Sequence, residues 1–357
     1  MDSKHKIINE KILSNERLNF EDGIFLFESN DIISTGKLAD SVKRKLNGDK
    51  AYYIYNQHLN YTNICKNMCR FCAFAKEKDE SGSYSFSISK IEDEIRKHID
   101  KPVNELHVVG GLNQDLDLDY YVDMLRAIKK LRPNVTIKAF TAVEIDYLSI
   151  SNNLSLGKTI QILKDAGLNM LPGGGAEVMS DRIHDELFPE KIGKSRWLEI
   201  IEEVHKAGIT TNATMLYGHI ETLEERVDHL IQLRELQDKT SGFSAFIPLA
   251  FHSENTKLNH ISSTTAFDDL KNISVARLML DNFDHIKAYW VMIGERLAQI
   301  ALHFGADDLD GTIIEEKITH TAGAKSAKGL TREKMIKLIE SSGLKAVERD
   351  SFYNPVK

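Results

Sequence analysis

HKAGITTNATML, residues 205–216, closes one element and opens another. A charged amphipathic run stops at Ala207, Gly208 takes the position of a helix C-cap, and β-branched and apolar residues follow at once. The same punctuation recurs in KDAGLNML (164–171) and HFGADDLDG (303–311), where Gly167 and Gly305 hold the corresponding places. Helix starts are marked as well, because Ser89 with Glu92 and Thr222 with Glu225 have the spacing of a capping box. Between these marks lie about eight strand-like runs, at residues 51–55, 105–109, 135–140, 168–171, 210–216, 244–249, 285–290 and 308–313. Repeated βα units in that number predict an α/β protein, a TIM-type (β/α)8 barrel. Residues 1–48 read as an N-terminal helical extension with a turn at Asn30 and Asp31, residues 49–321 as the barrel, and residues 322–357 as a loop and a helix (331–341) that close on it.

Composition narrows the function. The chain has 357 residues, 53 acidic against 46 basic, for a formal charge of −7. An acidic chain without a basic patch has no electrostatic footprint for nucleic acid. No run of about eighteen apolar residues is present and MDSKHKIINEKILSNE lacks the apolar core of a secretory signal, so no membrane association is expected and the expected location is cytoplasmic. The 3 cysteines, an odd number in one short window, exclude a secreted disulfide framework.

In a TIM barrel, chemistry gathers where the strands end and the βα loops converge. After the runs above come the cysteine loop, then Gly110 and Gly111, Glu144, Pro172 through Glu177, Gly218 with His219 and Glu221, His252 with Glu254 and Asn255, Met292, and finally Asp307, Asp308, Asp310 and Thr312. Loops attract Gly, Asp and Asn for reasons of turn geometry alone. Recurrence at successive strand ends points to a site.

The cysteines are the sharpest signal. CKNMCRFC places Cys65, Cys69 and Cys72 in a C-x3-C-x2-C pattern, three soft thiolates suited to three corners of a cubane iron-sulfur cluster with one iron left open. A structural zinc ion requires a fourth ligand, and His58 and His98 lack zinc-finger spacing. Three buried structural thiols remain an alternative. A lone cysteine nucleophile needs one thiol and a base, not three thiols.

C-x3-C-x-aromatic-C, here with Phe71 as the aromatic, resembles the signature of the radical S-adenosylmethionine enzymes. The resemblance implies a 4Fe-4S cluster on Cys65, Cys69 and Cys72 whose open iron is chelated by S-adenosyl-L-methionine, and reductive cleavage to methionine and a 5′-deoxyadenosyl radical. HVVGG (107–111) is similar to the family's glycine-rich element, whose backbone, at Gly110 and Gly111, meets the methionine amino group. Leu112 stands where many members carry glutamate, so only the backbone carries over. Glu144, in KAFTAVE, resembles the residue that contacts the ribose or methionyl part.

A closer resemblance spans nearly the whole chain. LNYTNICKNMCRFCAF, GGLNQDLDLDYY, LPGGGAEV, NATMLYGHIET, FIPLAFHSENT, IKAYWVMIG and FGADDLDGT together resemble the menaquinone (futalosine pathway) and deazaflavin biosynthesis branch. Within it GGGAE (173–177) and PLAFHSENT (248–256) look most like the aminodeoxyfutalosine synthases. That family implies addition of the 5′-deoxyadenosyl radical to 3-[(1-carboxyvinyl)oxy]benzoate, rearrangement onto the ring and loss of the carboxylate, giving 6-amino-6-deoxyfutalosine. S-adenosyl-L-methionine is then consumed as a co-substrate, and a low-potential donor such as flavodoxin or ferredoxin supplies the electron. The alternatives within the branch are the spiro-forming cyclic dehypoxanthine futalosine synthase and the deazaflavin precursor synthase.

A primary carbon radical must meet its alkene at roughly 3 to 3.5 Å, so positioning outweighs acid-base chemistry. Gly173, Gly174 and Gly175 let a backbone approach the substrate and offer N–H groups to it, although a tight turn after Pro172 would use the same glycines. Glu177, His219 and His252 are the candidate catalytic side chains, and Glu221 and Asn255 the candidate substrate contacts. Glu221 has a competing task beside the helix that starts at Thr222. For the carboxylates of the substrate the candidate cations are Arg182, Lys287, Arg296 and Lys325. Trp290 and Met292 could stack on a ring or pack in the core, and Asp308 and Asp310 could bind ribose or close a turn. An electron carrier would not need a barrel of this size, and a structural metal module would not leave a coordination position open.

Overall fold

The computed structural model describes residues 3–314 and 317–356. Its strands are β1 (Lys50–Ile54), β2 (Asn56–Leu59), β3 (Glu105–Val108), β4 (Thr136–Ala139), β5 (Met170–Leu171), β6 (Thr210–Tyr217), β7 (Phe243–Ala250), β8 (Asp308–Gly311) and β9 (Lys345–Arg349). β2 to β7 form a six-stranded parallel sheet in sequence order, and β8, β1 and β9 form a three-stranded one with β1 in the middle. Isolated parallel bridges Phe246 to Ile286, Lys287 to Asp308 and Gln57 to Ile314 join the two sheets, so the strands run round a ring. Helices between successive strands cover the outside, as parallel neighbours require.

Sequence punctuation is reproduced at most of these boundaries. Thr222 accepts from Glu225 N–H, and the Glu225 carboxylate accepts the Thr222 N–H, to start the helix Leu223–Thr240. Gly167 ends the helix Leu156–Ala166 in the left-handed conformation. The helix expected to start at Ser89 starts instead from Ser87, whose hydroxyl accepts the Lys90 N–H.

The run at 51–55 forms β1, and a further strand that the sequence did not announce, β2, follows at once in the other sheet. The fourth strand shrinks to Met170–Leu171, ahead of Pro172, which has no N–H to give a ladder. The seventh is reduced to the bridges at Ile286 and Lys287, and Trp290 starts a short helix with its indole N–H on the Gly311 carbonyl at 2.9 Å. β9 is not announced by the sequence, since its alternating charges carry no apolar stripe, yet it pairs with β1 over five residues.

The N-terminal segment forms helices Ser3–Leu13, Phe20–Glu28 and Ile32–Asn47, which pack on the outer helices Leu223–Thr240 and Ala266–Met279. Arg17 ties this extension down through Asp238 and, at 3.0 Å, Asp281.

The interior of the barrel departs from the usual filling of branched apolar residues. In register across the sheet, His58 lies beside His107 and His107 beside Lys138. Below them Lys138 pairs with Glu105 at 2.7 Å, and across the ring Lys287 pairs with Asp310 at 3.0 Å and Arg349 with Asp308 at 2.6 Å, all buried. Such pairs cost desolvation that their attraction only partly repays, so they mark a place where the fold gives up stability for polarity.

Candidate active site

The cysteine loop fills the span between β2 and the helix Ile88–Arg96 and is held at both ends. Thr62 bridges to Ser85 and Ile64 to Lys76, and the Arg70 N–H donates to the Leu187 carbonyl at 2.9 Å. Gly111 N–H donates to the Thr62 carbonyl at 2.9 Å, and Lys66 N–H to the Leu112 carbonyl at 3.0 Å. A Cβ on Gly110 would sit 2.7 Å from the Tyr61 ring, and one on Gly111 would collide with the Ile64 carbonyl. These two glycines are needed because the cysteine loop lies directly on the end of β3.

The three thiols are free and sit in one electrostatic environment. Burial pushes the Cys69 thiol up to about 11, with Lys191 opposing and with Glu177, Cys72 and Cys65 adding to the rise. Burial also raises Cys72, against backbone N–H groups of Ala75 and Phe74 that donate to its sulfur. Thiols this unfavourable to ionise alone are what a bound cationic cluster would deprotonate, and N–H groups aimed at sulfur are typical of such sites. Among the described residues no three His, Cys, Asp or Glu side chains converge on one ion position.

Lys191 was missed by sequence reasoning. Its Nζ lies 2.6 Å from Glu177 Oε1, 5.0 Å from the centroid of Phe71 and 5.3 Å from that of Phe188. Burial alone would lower its pKa, but Cys69 and Glu177 outweigh burial and hold it above the ordinary lysine value. Glu177 itself has φ of 52°, a left-handed backbone that a non-glycine residue adopts at some cost, and its carbonyl accepts the Leu216 N–H of β6 at 3.0 Å. The only sequence trace of Lys191 was one more lysine in a charged loop.

Glu144 is buried and has both oxygens engaged, Oε2 with the Thr141 N–H at 2.6 Å and Oε1 with the Tyr61 hydroxyl at 3.1 Å. Burial raises its pKa, against the hydrogen bonds from Thr141 and Tyr61. The three glycines after Pro172 separate into different tasks. A Cβ on Gly173 would strike the Asn212 carbonyl of β6, and one on Gly175 would touch Val143 at 3.0 Å, whereas Gly174 has only Thr141 nearby, at 3.7 Å. Gly174 is the one that borders open space.

That space is a cavity of about 180 Å³ inside the barrel, bordered by His58, His107, Thr141, Gly174, Thr214 and Asp310, with Val109, Ile247 and Leu249 forming an apolar wall. A second cavity of about 700 Å³ lies towards His252, Glu254, Arg296 and Lys325, and Met292 borders both. His252 Nε2 is 2.9 Å from the Met292 carbonyl. Asn255 donates to the Thr321 carbonyl at 3.0 Å from an exposed turn.

His219 and Glu221 border neither cavity. Glu221 accepts the Gly218 N–H at 2.6 Å and the His219 N–H at 2.9 Å and pairs with Arg226 at 2.5 Å. It organises the loop after β6. Of the candidate cations, Lys287 is committed to Asp310 and Arg182 to Glu225 at 2.6 Å, while Arg296 and Lys325 border the larger cavity. Trp290 is wholly buried, and Asp308 is held by Arg349 and by the Tyr353 hydroxyl at 2.6 Å.

Two family models match the chain, the Radical SAM superfamily over residues 59–233 and the CofH/MqnC C-terminal region over residues 240–357. Aminodeoxyfutalosine synthase of Thermus thermophilus is 41% identical over 98% of this chain and 95% of its own. The protein of the same name from Streptomyces coelicolor is 39% identical over 97% and 92%. A 5-amino-6-(D-ribitylamino)uracil–L-tyrosine 4-hydroxyphenyl transferase from Methanococcoides burtonii is 36% identical over 90% and 91%. In fold the chain is similar to methylornithine synthase, with a TM-score of 0.76 at 16% identity over 95% of this chain and 97% of that one. It is also similar to the [FeFe]-hydrogenase maturase HydG, with a TM-score of 0.73 at 17% identity over 97% and 76%. No helix among the described residues is long and apolar enough to cross a membrane. The chain therefore belongs to the radical S-adenosylmethionine superfamily, enzymes that use a 4Fe-4S cluster and S-adenosyl-L-methionine, in the group that holds the aminodeoxyfutalosine synthases.

Proposed function

We infer that the chain is an aminodeoxyfutalosine-forming enzyme of menaquinone biosynthesis. It joins the 5′-deoxyadenosyl group of S-adenosyl-L-methionine, released from methionine, to the vinyl ether carbon of 3-[(1-carboxyvinyl)oxy]benzoate, and after rearrangement onto the ring and loss of the carboxylate as carbon dioxide or bicarbonate gives 6-amino-6-deoxyfutalosine. The observation that carries this reading is identity of 41% and 39% to proteins of that name across nearly the entire chain. Identity of 36% to the hydroxyphenyl transferase makes transfer of an aryl group from L-tyrosine the second reading.

Cys65, Cys69 and Cys72 hold the cluster in this reading, with the backbone of Gly110 and Gly111 beside it. When bound, the cluster and S-adenosyl-L-methionine supply the carbon radical at the expense of one electron from a low-potential donor. Phe71, stacked edge-on against Phe188 under the Lys191 ammonium, walls the loop from solvent. Glu144 stays in place through Thr141 and Tyr61 and in this reading is the residue nearest the ribose or methionyl part of S-adenosyl-L-methionine. Gly174 leaves room for the ligand's close approach, and Val109, Ile247 and Leu249 give an aryl ring a flat apolar surface. His252, anchored by Nε2 on the Met292 carbonyl at the larger cavity, is in this reading the side chain that holds or passes a proton, through its other ring nitrogen.

The test is an anaerobic single-turnover reaction with reconstituted cluster, dithionite, S-adenosyl-L-methionine and the enol ether, read by mass spectrometry. Covalent adenosyl in an aminofutalosine product sustains the reading. Methionine with free 5′-deoxyadenosine and no adduct removes it and leaves the sister reactions.

A further inference from the structure

Most histidines inside this protein have a ring nitrogen bonded to a neighbouring group. His5 reaches Thr35 at 3.0 Å, His205 reaches Thr240 at 2.8 Å and Thr211 at 3.0 Å, and His285 reaches Asp307 at 2.5 Å. His229 bonds the Thr214 carbonyl at 2.9 Å and the Met179 N–H at 3.1 Å. His219 leaves Nε2 without a partner but borders no cavity. His107 is half-buried and borders the 180 Å³ cavity, and no side chain or backbone group among the described residues is seen hydrogen-bonded to its ring. Its bonds are therefore left for whatever fills the cavity to complete.

The surroundings say what that something is. His107 is stacked on His58 with ring centroids 4.6 Å apart and planes 21° from parallel, so its ring orientation is fixed. Burial, and after it Lys138 and His58, keeps its pKa well below the usual imidazole value, which leaves one nitrogen to donate and the other to accept. The ammonium groups closest in the same layer are already paired, Lys138 with Glu105 and Lys287 with Asp310. A carboxylate or ether oxygen entering this cavity is therefore met by neutral donors. Ile247 and Leu249 border the same cavity, a surface for a ring and not for a charge.

We propose that His107, backed by His58, is a substrate-contacting residue. It donates a hydrogen bond to a carboxylate or ether oxygen of an aryl enol ether whose ring lies on the apolar wall of the barrel cavity. The inference rests on the reading of the reaction given above and adds the group that recognises its aryl substrate. By fixing that oxygen, His107 sets the distance of the alkene from the radical carbon, and a loosened alkene lets the radical escape as free 5′-deoxyadenosine.

The experiment compares holoenzyme carrying His107→Phe, which preserves the stack on His58 but lacks nitrogens, with His107→Gln, which retains an amide donor. KM for 3-[(1-carboxyvinyl)oxy]benzoate should rise about 10-fold to 100-fold in the phenylalanine variant and by clearly less in the glutamine variant. KM for S-adenosyl-L-methionine, taken in the same reactions, should move by less than about 3-fold, and the share of adenosyl recovered as free 5′-deoxyadenosine should increase. Iron content and circular dichroism verify folding, and His107→Leu replaces the phenylalanine variant should that one not load its cluster. Equal KM for the enol ether in all forms, or equal loss for both substrates, overturns the proposal while leaving the reaction intact. No adduct from the unmodified enzyme overturns the reading of the reaction itself, and the ligand assigned to His107 with it.

Discussion

Lys191 Nζ sits 2.6 Å from Glu177 Oε1, and the pair is enclosed by Phe71 and Phe188 beside the three thiols. Removing only the ammonium strands a carboxylate in a poorly solvated place. Lys191→Met should lower the stability of the cluster-free protein by roughly 3 kcal/mol, and the double variant with Glu177→Gln should recover much of it. Urea unfolding under anaerobic conditions reads both. A loss in the double variant equal to the sum of the losses in Lys191→Met and Glu177→Gln alone would show that the two side chains are not coupled.

Loss of any thiol should empty the cluster site. Cys65→Ala, Cys69→Ala and Cys72→Ala are each expected to bind far less iron and sulfide after reconstitution than the unmodified chain, and to release no methionine from S-adenosyl-L-methionine. Retention of a full cluster by any one of them would take that cysteine out of the ligand set.

The glycine turn offers a sharper contrast, because its neighbours in sequence have opposite surroundings. Gly173→Ala forces a Cβ into the Asn212 carbonyl at a φ of 91°, whereas Gly174→Ala meets only Thr141, at 3.7 Å. The first should cost at least about 2 kcal/mol of stability. The second should fold normally and impair turnover of the aryl substrate by narrowing the cavity. Thermal unfolding together with steady-state kinetics separates the two effects.

How far the sequence foretold this site depends on which forces placed each residue. The cysteine loop could be singled out from its spacing alone, and Gly110 and Gly111 from a glycine pair at a strand end, where the structure brings the chain into close approach. The barrel was legible from glycine-capped helices alternating with apolar runs, yet the division of residues 51–59 between two sheets depends on pairing partners more than 240 residues away in β8 and β9. Lys191, Tyr61 and His58 were not legible, because a lysine, a tyrosine or a histidine takes its role here from elements that meet only in three dimensions. His107 stood in plain view inside HVVGG, and alternation along β3 places it on the same face as Val109. Glu221 shows the reverse case, a residue singled out for the substrate whose oxygens are taken by its own loop.

That loop makes the last prediction. Burial opposes ionisation of Glu221, but the hydrogen bond and charge of His219, then Arg226 and the Gly218 N–H, hold its carboxyl at about 2, against an ordinary value of 4.5. A folded value below the unfolded one means that the unfolded chain takes up the proton first as pH falls. The contribution of Glu221 is therefore complete above pH 4.5 and declines as pH falls from there towards 2, and it amounts to something on the order of 3 kcal/mol. Glu221→Gln should be less stable than the unmodified chain by a constant margin at neutral pH, and the margin should narrow below pH 4.5. Denaturant unfolding from pH 7 down to the lowest pH at which both forms still fold measures that margin. A gap that does not change with pH would mean that shape, and not the ionised carboxylate, is what the loop after β6 requires.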